Sequence, residues 1–260
     1  MSSEQNILIR KDNNHICNLI LNRPKAHNSL SFELLTKINN ELKKIKDDKK
    51  IRVLIISANG PSFCSGHDLK EINSSNNKDN YIKLFNLCSD VMLSFVNLSI
   101  PVIASVHSTA TAAGCQLVAT CDLAIASENA RFATPGVNIG LFCSTPMVAL
   151  SRNISKKNSM EMLLTGDMID ANTAKDYGLI NKVVPEKDLE NTVFEIANKI
   201  LKKSSKTIAI GKKAFYEQLE LGILDAYKYT STVMANNMVQ YNAQEGVKAF
   251  LEKRKPNWND

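Results

Sequence analysis

The chain has 260 residues, 44% of them hydrophobic, and a formal net charge of +6 at pH 7. That length and composition suit one good core, or one core with an appendage. No run of about 18 apolar residues occurs, which argues against a membrane span, and no nucleic-acid motif accompanies the positive charge.

The first residues, MSSEQNILIRKDNNH, show neither an apolar secretory stretch nor an Arg-rich presequence, so the expectation is a cytoplasmic protein, with an organellar location left open. Ile7–Arg10 and His15–Leu21 read as two strands around a turn at Asp12-Asn13-Asn14. Ser31–Asp47 carries Phe32, Leu35, Ile38, Leu42 and Ile45 at helical spacing. Ile51–Ala58 is apolar throughout and predicts a strand buried on both faces, broken by Asn59-Gly60-Pro61. Ile72–Asn80, rich in serine and asparagine, reads as a loop, and Tyr81–Asn97 as a helix. Pro101–Val106 and Asp122–Ser127 are further core strands. Beyond about residue 150 helices dominate: Ser155–Thr165, Ala171–Tyr177, Glu186–Ser204, Thr207–Leu221, Leu224–Tyr241 and Ala243–Lys253, with an interruption at Val183–Pro185. Strands alternating with helices, then helices alone, predict an α/β core with a helical C-terminal region, divided as 1–200 and 201–260.

Six cysteines are scattered without a C-x-x-C pair, so they read as small buried hydrophobes in a reducing compartment, and no zinc spacing or other metal site is visible. No G-x-S-x-G elbow, phosphate-binding loop or G-x-G-x-x-G run appears, which removes support from serine hydrolase, kinase and dinucleotide dehydrogenase readings.

The informative stretch is Pro101–Pro146. Its apolar run leads into the tiny residues Ala110, Ala112, Ala113 and Gly114, with the polar Gln116 two positions later. This reads as a buried strand, a tight turn and a helix start. Small side chains there let a ligand approach backbone N–H groups, and donors at a helix N-terminus stabilise negative charge.

With the upstream segment SFCSGHDLKE (Ser62–Glu71) and ICNLILNRPKAHNSL (Ile16–Leu30), this stretch resembles the crotonase, or enoyl-CoA hydratase/isomerase, superfamily over nearly the whole chain. The combination AGCQL, FATPGV and GLFCSTP resembles one branch of it. The resemblance implies a spiral of β-β-α turns followed by helices, a homotrimer or hexamer, and an acyl-CoA thioester as partner. Coenzyme A would come as part of the substrate, with no permanently bound cofactor. The resemblance further implies an oxyanion hole made by the backbone N–H groups of Ser65 and Ala113, with Gly114 allowing close packing beside it.

Hydratases of this family use two glutamates. Their positions here hold Gln116 and Gly136, neither able to exchange a proton near neutral pH. Gln116 either contacts substrate or is a polar residue satisfied in the core. His67 and Asp68 flank the loop as a possible acid–base pair, with Asp68 read alternatively as a brace for the following helix. Ser144, beside Cys143, either lines the acyl pocket or starts a helix with Thr145 and Pro146. By the resemblance, Lys25 and Ala26 lie where coenzyme A is contacted, and Phe250 and Lys253 in a segment that can close over it.

The functional expectation is an acyl-CoA-binding member of this family that stabilises a thioester oxyanion or enolate, with weak or absent hydration. The alternatives are a non-catalytic acyl-CoA-binding or regulatory protein, or a related decarboxylase or thioesterase.

Overall fold

The computed structural model describes residues 6–75 and 77–260. Residue 76, inside the stretch expected as a loop, and the first five residues, part of the stretch read for targeting, lie outside the described residues.

The chain opens with a hairpin of β1 (Leu8–Asn13) and β2 (Ile16–Leu21). The turn is Asn14-His15, both with positive φ (46° and 68°), because a two-residue hairpin needs that twist at both central positions. Asp12 and Asn13, expected in the turn, stay in the ladder opposite Cys17 and Ile16. The helix α1 (Phe32–Asp47) starts where the Ser31 hydroxyl accepts the Leu34 N–H. It buries Leu34, Leu35, Ile38, Leu42 and Ile45.

From there the chain winds in turns that each send one strand to two different sheets. β3 (Val53–Ala58), β5 (Val102–Val106) and β7 (Leu123–Ser127) enter a six-stranded sheet ordered β1-β2-β3-β5-β7-β10, parallel apart from the β1–β2 pair. β4 (Ser62–Cys64), β6 (Thr109–Thr111) and β8 (Arg131–Ala133) enter a four-stranded sheet with β9 (Ile169–Asp170), which is antiparallel to β8. This is the expected spiral.

The long sheet is apolar on both faces, as the run at residues 51–58 predicts. Leu54 and Ile56 face the main core, while Val53 and Ile55 join Ile103 and Ile125 under α8 (Leu189–Leu201), which supplies Leu189, Val193 and Ala197.

Three expectations are corrected. The stretch at residues 72–80 is not a loop: α2 (Leu69–Ser75) and α3 (Lys78–Asn97) occupy most of it. One of its polar residues caps α3, Asn77 accepting the Asp79 N–H. The helical half also holds the short strands β9 and β10 (Lys182–Val184), the latter extending the sheet edge beside β7. Strands of two or three residues are too short to leave a period in sequence. Finally, Glu186–Asp188 is a separate 3₁₀ turn and α8 ends at Leu201, so the expected helix over Glu186–Ser204 is shorter.

The remaining helices are α4 (Ala113–Thr120), α5 (Pro146–Asn153), α6 (Lys156–Thr165), α7 (Ala171–Tyr177), α9 (Ser205–Leu219), α10 (Ile223–Met238) and α11 (Tyr241–Leu251). No helix among the described residues is long and apolar enough to cross a membrane.

Candidate functional site

The parallel strands β4, β6 and β8 end side by side, and the segments that leave them are residues 65–68, 112–114 and 134–136. Crevices at the carboxyl ends of parallel strands are where α/β folds bind ligands. The fold thus brings Ser65, His67 and Asp68 near Ala113, Gly114 and Gln116, with Gly136 on the third segment.

Close packing sets the geometry. Gly114 has no room for a side chain, because a Cβ would overlap the Cys64 carbonyl oxygen. Gly66 has φ 93°, and a Cβ there would lie 2.8 Å from the Ala112 Cβ and 3.3 Å from the Ala113 nitrogen. Ala112 precedes α4 with φ 49° and ψ −119°, and no side chain caps the helix. The first-turn N–H groups of α4 are therefore left for a ligand or solvent.

The donors in the upstream loop divide sharply. The Ser65 N–H is already given to the His27 carbonyl at 3.1 Å. Leu30 N–H donates to Gly66 O at 2.7 Å and Asp68 N–H to Leu30 O at 3.3 Å, so His67 sits between two bridging bonds to Leu30. In that parallel pattern the His67 N–H turns away from Leu30. It has no acceptor among the described residues. The geometry therefore offers His67, not Ser65, as the open donor beside Ala113.

The side chains have distinct fates. Asp68 bonds the Arg23 guanidinium at 2.9 Å and accepts the Lys70 N–H at 3.2 Å, bracing the start of α2. These contacts hold its carboxyl below the usual range despite partial burial. Asp68 is committed to structure and forms no pair with His67. The His67 ring is largely buried, edge-on to Phe85 with centroids 5.2 Å apart, and burial holds its pKa down to about 4. It is a neutral imidazole near pH 7. Gln116 is 4% exposed, and its Oε1 has no hydrogen-bond partner among the described residues.

Gly136 bears directly on the missing acid. A Cβ at this position would overlap the Leu141 carbonyl oxygen and lie 2.9 Å from the Cys143 sulfur. The Leu141 N–H donates back to Gly136 O at 2.9 Å, closing the loop. No side chain fits there without moving the backbone.

The other candidates are more peripheral. Ser144 is exposed, and its hydroxyl donates to Phe142 O at 3.3 Å. Thr145 occupies the N-cap position of α5 but makes no side-chain cap bond, while Pro146 fills the first turn. Lys25 and Ala26 lie in a 3₁₀ turn, Pro24–Ala26, that leads to His27 and so reaches Ser65. Phe250 lies on α11, which packs against α9 and α10; Lys253 follows it, and both are exposed. Among the described residues, no group of three or more His, Cys, Asp or Glu converges as a metal centre requires.

Asn28 is a positioning residue that the motif N-R-P-x-x-x-N could have singled out. It is fully buried with φ 53°, accepts the Arg23 N–H at 2.7 Å, and donates to Asn59 O and Ser62 O at 2.8 and 2.7 Å. It ties the loop over residues 23–28 to the start of β4.

A family model described as enoyl-CoA hydratase/isomerase matches residues 11–260. Among curated proteins, the chain is 49% identical to the mitochondrial enoyl-CoA hydratase domain-containing protein 3 of Xenopus laevis, covering 92% of this chain and 82% of that one. It is 47% identical to the human protein of that name, covering 94% and 80%. Among solved structures, an enoyl-CoA hydratase of Mycobacterium smegmatis superposes with a TM-score of 0.95 at 47% identity, covering 98% and 99%. The structure of human enoyl coenzyme A hydratase domain-containing protein 3 superposes with a TM-score of 0.94 at 46% identity, covering 97% and 100%.

These names overturn the expectation of a cytoplasmic protein, since the vertebrate relatives are called mitochondrial. All six cysteines are free and buried, but such thiols do not distinguish one reducing compartment from another.

Proposed function

The chain belongs to the enoyl-CoA hydratase/isomerase family, and from that premise we propose that it binds an acyl-CoA thioester and polarises its carbonyl while hydrating enoyl-CoA weakly or not at all. The observation that carries this reading is the open N–H of His67 beside Ala113 at the uncapped start of α4. Two such donors would hold the negative charge that develops on a thioester oxygen. Coenzyme A arrives as part of the substrate, with Lys25 on the approach. The assembly is a homotrimer or hexamer, and the mitochondrial address of the vertebrate relatives is carried over with the family.

Hydration needs groups that place water and deliver a proton, and general acid–base help is worth about 10²–10⁴-fold. Gln116 cannot supply it. The closed loop at Gly136 favours a second reading, a binding protein that never hydrates, because no acid could be accommodated there.

The test is calorimetric binding of a saturated acyl-CoA series beside the hydration rate of a trans-2-enoyl-CoA series. Binding is expected, with hydration far below that of an ordinary hydratase. Gln116→Glu should raise hydration modestly, whereas Gly136→Glu should disrupt the loop and restore nothing. Hydration by the unaltered protein at an ordinary hydratase's rate would refute the weak-hydration reading. Absence of binding across the series would refute the thioester site.

A further inference from the structure

A buried polar atom without a partner is uncommon in folded proteins. Two occur on segments that pack together here: Nε2 of His67 and Oε1 of Gln116. Gly66, next to His67, lies against Ala112 and the Ala113 nitrogen at the start of α4, the helix that carries Gln116. The His67 ring rests on Phe85 of α3, and α3 packs against α4. The same residue thus offers an open backbone donor and an unengaged ring nitrogen. A thioester whose oxygen met the N–H groups of His67 and Ala113 would have its α-carbon within a side chain's length of that ring.

The surroundings leave the ring free to act. Asp68 is held by Arg23 and by the start of α2. The thiols of Cys64, in the adjoining strand, and Cys88, a turn beyond Phe85, are both pushed up to about 12 by burial and stay protonated. With the ring proton on Nδ1, Nε2 carries the lone pair and stands as an acceptor without a partner. Its depressed pKa makes the imidazole about as basic as an ordinary glutamate, the group this site lacks.

We propose that His67 Nε2 is the catalytic base of this site, taking a proton from the carbon beside the thioester carbonyl. This rests on the acyl-thioester reading given above. The α C–H bond breaks, its proton passes to Nε2, and its electron pair forms the enolate. The charge then lies on the thioester oxygen, held by the two N–H groups. Return of the proton to the same carbon restores the substrate. For a 3-enoyl thioester, return to the carbon two places further along shifts the double bond to the 2-position. One proton-moving group suffices, because the same nitrogen takes and returns a proton and no water is added. A proton held on the imidazolium trades with solvent before one is returned, so the α-carbon exchanges.

The experiment incubates the protein with saturated acyl-CoAs of graded length in D2O and follows deuterium at the α-carbon by mass spectrometry. Binding of the same thioesters is measured by calorimetry. The expected result is exchange by the unaltered protein, reduced about 10²–10⁴-fold in His67→Ala and His67→Gln, with binding kept within a few-fold in at least one variant. Binding without exchange in the unaltered protein overturns the role of His67 and leaves the thioester site standing. No binding removes both. Exchange that survives in His67→Ala overturns the proposal by assigning the proton to another group. Loss of binding in both variants makes His67 structural and overturns it as well.

Discussion

Ala112 carries a side chain at φ 49° and ψ −119°, a setting in which L-residues are strained. Its N–H is fixed by Ala133 O at 2.9 Å and its carbonyl accepts the Gln116 N–H at 3.0 Å, so the peptide leading to Ala113 is held from both sides. The strain falls at the candidate donor, where preorganisation matters most. His67 stores a second cost. Its ring has a pKa of about 4 in the fold against an ordinary 6.5. Below about pH 6.5 the unfolded chain takes up a proton that the folded chain refuses. Stability should therefore fall as the pH drops from about 6.5 toward 4, by up to about 3 kcal/mol. The lowered carboxyls of Asp68 and Asp260 push the same way only below about pH 4, and that of Glu245 only below about pH 5, so the slope above about pH 5 isolates the histidine. Urea unfolding of the unaltered protein and His67→Gln between about pH 7 and 5 would check this. The variant should lose most of the slope, and equal slopes would place its source elsewhere.

At the scale of elements, one buried contact ties α9 to the sheet. Lys212 Nζ donates to Phe95 O, Ile100 O and Asp122 Oδ2 at 3.1, 3.0 and 2.7 Å. Asp122 also accepts the Val102 N–H at 2.7 Å and the Tyr216 hydroxyl at 2.8 Å. The end of α3 and the starts of β5 and β7 therefore meet α9 through one ammonium and one carboxylate. Removing one partner leaves a buried charge, so Asp122→Ala should cost about 3–5 kcal/mol. The exposed pair Arg152–Glu220 should cost under about 1 kcal/mol when broken. Denaturant midpoints of the two variants would check the contrast, and equal losses would mean that the buried pair contributes no more than the surface one.

Across the whole molecule, the helical C-terminal region leaves several large apolar side chains almost fully exposed. Ile223, Leu224 and Phe250 are 78%, 80% and 82% exposed, and Leu251 and Val239 are each 74% exposed. Exposed apolar surface on this scale marks an association face. The proposed trimer or hexamer would cover it. Ile223→Glu with Leu224→Glu should lower the mass found by sedimentation toward that of one chain while leaving far-UV circular dichroism unchanged. A single-chain mass for the unaltered protein would remove the proposed assembly.

Local residue pattern determined much of this protein. The alternation of strands and helices, the doubly buried run Val53–Ile56, the helix of Leu35, Ile38, Leu42 and Ile45, and the small-residue entry to α4 are all short-range signals, and the fold follows them. The absence of acids at Gln116 and Gly136 is likewise plain from residue identity. What needed tertiary structure were the facts that depend on distant partners. Ser65 loses its N–H to His27, 38 positions away, so only the packed loops reveal that the open donor lies at His67. Gly136 excludes an acid because Leu141 folds back on it, a clash that no spacing rule contains. The serines and asparagines at residues 72–80 suit a loop or a helix start equally well, and the choice falls to α3, whose buried face packs on the core. Residue type sets what each position can do, while the partners that occupy its hydrogen bonds and its space decide what it does.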